Sequence, residues 1–304
     1  NSNFLSKKIF NIRDQKKFAS LSGDYNPIHI NQIEARKSLV GNIIVHGINT
    51  FLWSLEYFIK QKESIYTSFK INFLYPLSIG DSVELYWNEE KKELIIKNIK
   101  GIVFCSIKCS KKKKSVDSLS IIPRKNKVLM NPVKLEPTDL KKKVLIKFNT
   151  GNKNYAKKLF PNLSNKLGED IVYEIAGLSS IVGMYIPGLK SLFIGLELDI
   201  RKKNIKENIK ILKQNNLGMI LLQYTGKNIF SKMKACFTPD PTTTESCESI
   251  KNKLKINFSL NGYHILVIGG SRGLGSVVSK IAIIYGAKVT LTYYKGLEEA
   301  KLIE

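Results

Sequence analysis

The apolar positions change their period three times along the chain. Residues 1–118 open with a helical stretch around Asp14 to Leu21, pass through an aperiodic segment, Ser22–Ile30, and continue as an apolar helix from about Gly47 to Ile59. Four β-rich runs follow: Ser64–Phe73, Ser82–Trp87, Glu93–Ile99 and Ile102–Lys108. Pro76, Gly80-Asp81, Asn88-Glu89-Glu90 and Gly101 separate them, which is the punctuation of an antiparallel meander. Residues 125–238 repeat the order, with helices near Asn154–Leu159 and Glu174–Tyr185, a stop at Pro187-Gly188, and strands near Ser191–Ile200, Ile205–Gln214, Met219–Tyr224 and Lys232–Phe237. One helix followed by a meander, twice over, predicts an internal duplication. A polar run with Pro239, Pro241 and Thr242-Thr-Thr reads as a linker over 239–258. The last block, 259–304, pairs a buried-type strand (Tyr263–Ile268) with a glycine-rich turn, a helix (Ser276–Tyr285) and a second strand (Lys288–Tyr293). That is the opening of a parallel nucleotide-binding sheet. The predicted fold class is therefore α+β, two similar halves followed by the start of an α/β unit.

Composition narrows the function classes. With 43% hydrophobic and 24% charged residues the chain is a folded protein of two or three domains, which excludes disorder and a collagen-like repeat. No uncharged apolar run reaches membrane-spanning length and Asn1 opens no signal-peptide pattern, so a cytoplasmic chain without a membrane span is expected. The missing initiator Met suggests a piece of something longer. Cys105, Cys109, Cys236 and Cys247 form no Cys-x-x-Cys pair and read as reduced structural thiols. Only His29, His46 and His264 are present, so no metal site is expected. The net charge of +24 comes almost entirely from lysine, the arginines being Arg13, Arg36, Arg124, Arg201 and Arg272. Base-specific readout favours the arginine fork, so no specific nucleic acid is expected, and much of the lysine reads as compositional drift. The alternative is a surface for an anion such as the phosphates of coenzyme A or an acidic carrier protein. The runs Lys111–Lys114 and Lys141–Lys143 read as solvated turns.

The sharpest constellation is Leu21-Ser-Gly-Asp24-Tyr-Asn26-Pro27-Ile-His29-Ile-Asn31, followed by Val45-His46-Gly47 at the head of the apolar helix. Pro27 stiffens the segment and biases Asn26 toward extended backbone. Asp24 and His29 can then converge on one substrate, a carboxylate beside an imidazole being equipped to hold a water and move its proton. Gly47 offers a helix-terminal amide to a developing oxyanion. Taken alone the segment is an ordinary Asx/Pro turn with a structural histidine. Its order of motifs is more specific.

This segment resembles the hydratase 2 motif of MaoC-like dehydratases, (R)-specific enoyl-thioester hydratases of the hotdog fold. Phe73-x-x-Pro76-x-x-x-Gly80-Asp81 resembles the strand and turn after that family's helix. The resemblance covers about 110 residues and implies Asp24 and His29 as the catalytic pair, Gly47 as the oxyanion amide, and Asn26, His46 and Asn49 around the substrate, His46 mainly structural. It implies reversible hydration of trans-2-enoyl thioesters on coenzyme A or acyl carrier protein, without a cofactor. Ala176–Gly195 resembles the helix and strand of a related half. That half has no histidine, which implies a non-catalytic partner in a tandem hotdog and hotdog–hotdog pairing within the chain, with a homodimer also open.

In the last block Gly269, Gly273 and Gly275 follow a strand and precede a helix. Glycine lets backbone approach a pyrophosphate, and a helix N-terminus favours the negative charge. The run Gly269-Gly-Ser271-Arg272-Gly273-Leu274-Gly275 resembles the fingerprint of short-chain dehydrogenases/reductases. Arg272 and Lys295, with no acidic residue after the second strand, imply NADP(H). That family's catalytic Ser and Tyr-x-x-x-Lys would lie beyond residue 304, so the block is expected to be truncated or vestigial and to reduce nothing by itself. Two other functions stay open: a reductase with accessory hotdogs, and a basic binding module with inert Asp24 and His29.

Overall fold

The computed structural model describes residues 2–38, 40–62, 65–111, 129–140, 151–201, 208–215, 217–239, 245–254, 257–294 and 296–303. The chain divides into two units, Asn1–Asp240 and Pro241–Glu304.

In the first half of unit 1, β1 (Ser2–Ile9) leads into α1 (Ile12–Ser22), short helices α2 (Pro27–Ile30) and α3 (Gln32–Lys37), and the long helix α4 (Gly47–Gln61). The strands β2 (Ser68–Phe73), β3 (Ser82–Asn88), β4 (Glu93–Lys97) and β5 (Val103–Ser110) follow. In the second half come a 3-10 turn (Pro137–Asp139), α5 (Tyr155–Leu159), α6 (Pro161–Leu167) and α7 (Glu169–Ser180), which runs into a π-helical turn (Ile181–Tyr185). The strands β6 (Ser191–Ile200), β7 (Asn208–Gln214), β8 (Met219–Thr225) and β9 (Ile229–Phe237) complete it.

All of these strands join one antiparallel sheet in the order β1-β3-β4-β5-β2-β6-β9-β8-β7. The seam between halves is β2 against β6, in register from Ser68↔Asp199 to Asn72↔Gly195. Gly195 is needed there, since a Cβ would stand 2.5 Å from the Ile71 carbonyl oxygen. Ser68 Oγ donates to Asp199 Oδ1 across the seam at 2.5 Å. The strands alternate buried and half-buried positions, clearly so in Ser82–Asn88 and Glu93–Lys97. Their inward side chains, among them Val83, Leu85, Trp87, Leu94 and Ile96, pack with the buried faces of α4 and α7 into one core.

Several expectations need correction. The segment Ser22–Ile30 is not aperiodic throughout, because Asn26 caps Ile28 N and Pro27 starts the turn Pro27–Ile30. β1 carries no period-two signal in the sequence because a bulge between Phe4 and Ser6 turns Leu5 and Ser6 inward together and breaks the alternation. The expected linker contains a helix, α8 (Cys247–Lys253), capped by Ser246 Oγ on Ser249 N. Much of the runs 111–114 and 141–143 lies outside the described residues. Among the described residues no helix is long and apolar enough to cross a membrane.

Unit 2 carries β10 (His264–Val267), α9 (Gly273–Ile284), β11 (Lys288–Leu291) and α10 (Leu297–Lys301) besides α8. β10 and β11 pair in parallel from His264↔Lys288 to Val267↔Leu291. A parallel pair needs a crossover, and α9 supplies it.

The halves of unit 1 are also tied between helices. The buried Glu56 carboxylate of α4 accepts from Asn162 N (2.9 Å), Asn162 Nδ2 (2.6 Å) and Leu163 N (2.8 Å) at the start of α6. Removing it strands buried donors. Glu56→Ala is expected to lower unfolding free energy in urea by about 2–3 kcal/mol, and Glu56→Gln by less, because the amide oxygen still accepts. Equal stability of Glu56→Ala and the parent would contradict this.

Candidate active site

Asp24 follows the C-terminus of α1, which Gly23 ends in the left-handed region at φ 76°. A fully buried carboxylate is costly unless its oxygens are paired. Here Oδ2 accepts from Ser179 Oγ at 2.6 Å and Oδ1 from Asn26 N at 3.2 Å. Burial pushes the Asp24 pKa up, while His29 and these two donors pull it back.

His29 sits on α2, which the Asn26-Pro27 start positions. Its Nδ1 lies 2.8 Å from the Ile44 carbonyl oxygen. A carbonyl only accepts, so Nδ1 carries the proton and Nε2 keeps a lone pair. Burial lowers the His29 pKa, with Asp24 and the Ile44 carbonyl opposing.

His46 stacks on His29, with ring centroids 3.8 Å apart. Its ring nitrogens are engaged by Gln15 Oε1 (2.8 Å) and the Asp24 carbonyl oxygen (3.1 Å). Burial, and then the neighbouring His29, hold its pKa well below the ordinary histidine value. Burial thus favours the neutral form of His46, which supports the pair from beneath, and only one of its two oxygen neighbours then receives a ring N–H.

Asp24, His29 and Gly47 line one cavity of about 220 Å³. Its apolar walls include Phe73, Leu77, Phe104 and Val182, with Leu192, Phe193 and Ile194 from β6. Gly47 is the first residue of α4, where backbone amides have no intrahelical acceptor. A Cβ on Gly47 would stand 2.8 Å from the Phe73 ring, so only glycine brings this amide and that ring together. Phe73 in turn meets Phe193 edge-on at 5.5 Å across the seam. A register shift between Phe193 and Gly195 inserts Ile194 there and turns adjacent side chains toward the cavity.

Three expected pocket residues are corrected. Asn26 does not line this cavity, because its amide turns away to donate to the carbonyls of Gly183 (2.8 Å) and Gly188 (3.1 Å). His46 is sealed beneath His29. Asn49 lies on another face of α4 and lines a separate cavity of about 300 Å³ with Trp53, Glu56 and Asn162. Conversely, Ser179 and Gly183 belong to the site and were missed. Their partners are more than 150 residues away in sequence, and the only local sign was small residues on an otherwise apolar helix.

Ligand-capable atoms of Asp24, His29 and His46 lie within 4.8 Å of one another. The set does not suit a cation, because both His46 nitrogens already have partners.

In unit 2 the turn between β10 and α9 contains the remaining candidates. Gly269 and Gly273 have positive φ (75° and 57°) and open space where a Cβ would stand. At Gly275 a Cβ would meet the Gly269 carbonyl oxygen at 2.3 Å. Ser271 is buried, whereas Arg272 and Leu274 are exposed at the helix start. Lys295 lies outside the described residues.

Residues 9–107 match the family model of the MaoC like domain. A curated relative, 3-hydroxybutyryl-CoA dehydratase of Methylorubrum extorquens, is 32% identical over 103 residues. That match spans 33% of this chain and 64% of the relative, so the chain matches less than two thirds of its length. A solved MaoC-like dehydratase aligns with 78% of this chain and 98% of its own at a TM-score of 0.50 and 12% identity, a likeness of fold. An (R)-hydratase from A. caviae involved in PHA biosynthesis is 25% identical, covering 36% of this chain and 91% of its own, with a TM-score of 0.30.

The neutral imidazoles give a pH dependence of known sign. An unfolded chain binds protons at His46 as pH falls through 6.5, whereas the folded chain refuses them until lower pH. The unfolded state then holds more protons, so stability falls with acidification. His46→Gln is expected to flatten the acid slope of unfolding free energy by up to about 1.4 kcal/mol per pH unit. Parallel slopes for the two proteins, measured by denaturation between pH 7 and 5, would contradict a neutral His46.

Proposed function

We propose that this chain catalyses the reversible, (R)-specific addition of water to trans-2-enoyl thioesters carried on coenzyme A or acyl carrier protein. The observation that carries the reading is the convergence of Asp24, His29 and the first amide of α4 on one apolar-walled cavity. The family match over residues 9–107 and the dehydratase name of the bacterial relative support it.

In this reading a water lies between the Asp24 carboxylate and His29 Nε2. Its oxygen bonds to the β-carbon while the pair takes one of its protons. The π electrons move onto the thioester oxygen, where the Gly47 amide and the field at the start of α4 hold the charge. When the enolate collapses, the pair returns the proton to the α-carbon. Both parts of the water arrive from the side on which the pair stands, which accounts for syn addition. Dehydration is the reverse, and the two groups titrate as a unit.

We read the two halves of unit 1 as a tandem hotdog in which the half without histidine completes the sheet and the cavity wall. We read unit 2 as the opening of a short-chain dehydrogenase/reductase domain. The Gly269–Gly275 turn and the start of α9 fit a pyrophosphate, since Gly269 and Gly273 leave backbone open to approach. There Ser271 and Arg272 would hold the phosphates of NADP(H), which supplies hydride when bound. A hydratase beside a 3-ketoacyl reductase is chemically coherent, because both handle a (R)-3-hydroxyacyl thioester.

Hydration of crotonyl-CoA, followed by loss of ultraviolet absorbance, tests the reading. Asp24→Asn and His29→Ala are each expected to lower kcat/KM by about 10²–10⁴-fold. Activity should persist somewhat below pH 6.5, because burial lowers the His29 pKa, and vanish as the pair gains a proton. A folded protein inactive on short and long enoyl groups and both carriers would overturn the reading, and salt-sensitive anion binding without turnover would favour a basic binding module. Phe193 narrows the cavity from the second half, so Phe193→Ala is expected to raise octenoyl over crotonyl preference several-fold. An unchanged chain-length profile would remove Phe193 from the acyl wall.

A further inference from the structure

The second half of unit 1 contains no histidine, yet it meets the first half's site at several points. Ser179, near the end of α7, is buried and donates to Asp24 Oδ2 at 2.6 Å. One turn later, Gly183 lies so close that a Cβ would stand 2.4 Å from Asp24 Oδ1. The backbone there follows the π-helical turn Ile181–Tyr185. In a regular helix the Gly183 carbonyl would accept from residue 187, but Pro187 has no N–H. That carbonyl instead accepts from Asn26 Nδ2 at 2.8 Å. Next to it, Tyr25 N lies 3.2 Å from Met184 Sδ.

We propose that Ser179 is a positioning residue for the reaction: its hydroxyl, carried by the half without histidine, fixes the orientation of the Asp24 carboxylate and stabilises its charge. Ser179 Oγ reaches the oxygen opposite the one held by Asn26 N, so each carboxylate oxygen has one donor. The titratable groups facing Asp24 are His29 on α2 and His46 at the head of α4, whose Nε2 lies 3.9 Å from Oδ2. Burial and His29 disfavour a charge on His46, and His29 is one of the proton-transfer pair. A neutral donor with no proton to exchange is therefore the contact best suited to hold the carboxylate without competing for the proton. Gly183 and the π-turn keep the space that this contact requires.

The assignment rests on the hydratase reading in its kinetic arm only. Ser179→Ala, Ser179→Thr and the parent are compared by crotonyl-CoA kinetics from pH 5 to 9. The Asp24 carboxyl carbon is also titrated by ¹³C NMR, its resonance identified by its absence from Asp24→Asn. Losing a hydrogen bond to a charged group should raise the Asp24 proton affinity about 10- to 100-fold. In Ser179→Ala the Asp24 titration and the acid limb of kcat should move to higher pH together. The same variant should lose kcat about 10- to 100-fold with KM little changed, and Ser179→Thr should restore most of both. An Asp24 titration unmoved by Ser179→Ala would overturn the proposal whatever the kinetics. If the parent hydrates no enoyl thioester, the functional reading falls and the Asp24 titration alone decides the role of Ser179.

Discussion

The arrangement of unit 1 depends on one expensive element, a carboxylate almost wholly removed from water. Such a group persists in its charged form only where donors and an opposite partial charge replace the lost hydration. Asp24 receives these from three directions: its own loop through Asn26 N, the facing half through Ser179, and His29 beside it. Each supplier imposes a local requirement. Asn26 must turn its side chain toward the second half, Gly183 must lack a Cβ, and Pro187 must leave a carbonyl unclaimed.

The same requirement explains why the halves share one sheet. The β2–β6 seam fixes α4 and α7 relative to each other, and hydrogen bonds of about 3 Å tolerate little sliding. The bulge at Ile194 lies beside the seam, so the strand that joins the halves also supplies part of the cavity wall. Glu56 holds a second point of the junction at the start of α6. Joining and site-building use the same residues.

What the sequence disclosed follows from how local each signal is. Asp24, His29 and Gly47 lie within 24 residues of one another, and proline and helix-start chemistry alone bring them near each other. The strands with strict alternation read nearly correctly, Ser82–Asn88 to within a residue and Glu93–Lys97 to within two. The bulged strand Ser2–Ile9 did not, because two consecutive inward residues erase a period of two. The helix Pro161–Leu167 lies outside the expected elements, although proline at a first helical position marks it. Ser179 was beyond reach, since a buried serine on an apolar helix has no local reason to be polar and its reason lies 155 residues away. Asn49 failed the other way: proximity to Gly47 suggested the pocket, but two residues along a helix turn a side chain by about 200°.

The cluster's charge states also assign its division of labour. His29 and His46 stack at 3.8 Å, and two like charges so close in a buried site oppose each other strongly. The two imidazoles oppose each other's charge, and the Asp24 charge favours it on His29. Burial acts against charge on both rings; at His46 the neighbouring His29 adds to it against the Asp24 carbonyl, whereas at His29 the Asp24 charge opposes it. The stack therefore works as a base on an uncharged platform. His29 can gain and lose a proton next to Asp24 while its orientation is held by the Ile44 carbonyl on its edge and by His46 across its face. Of the three titratable groups within 4.8 Å, Asp24 and His29 are thus the two placed to exchange a proton.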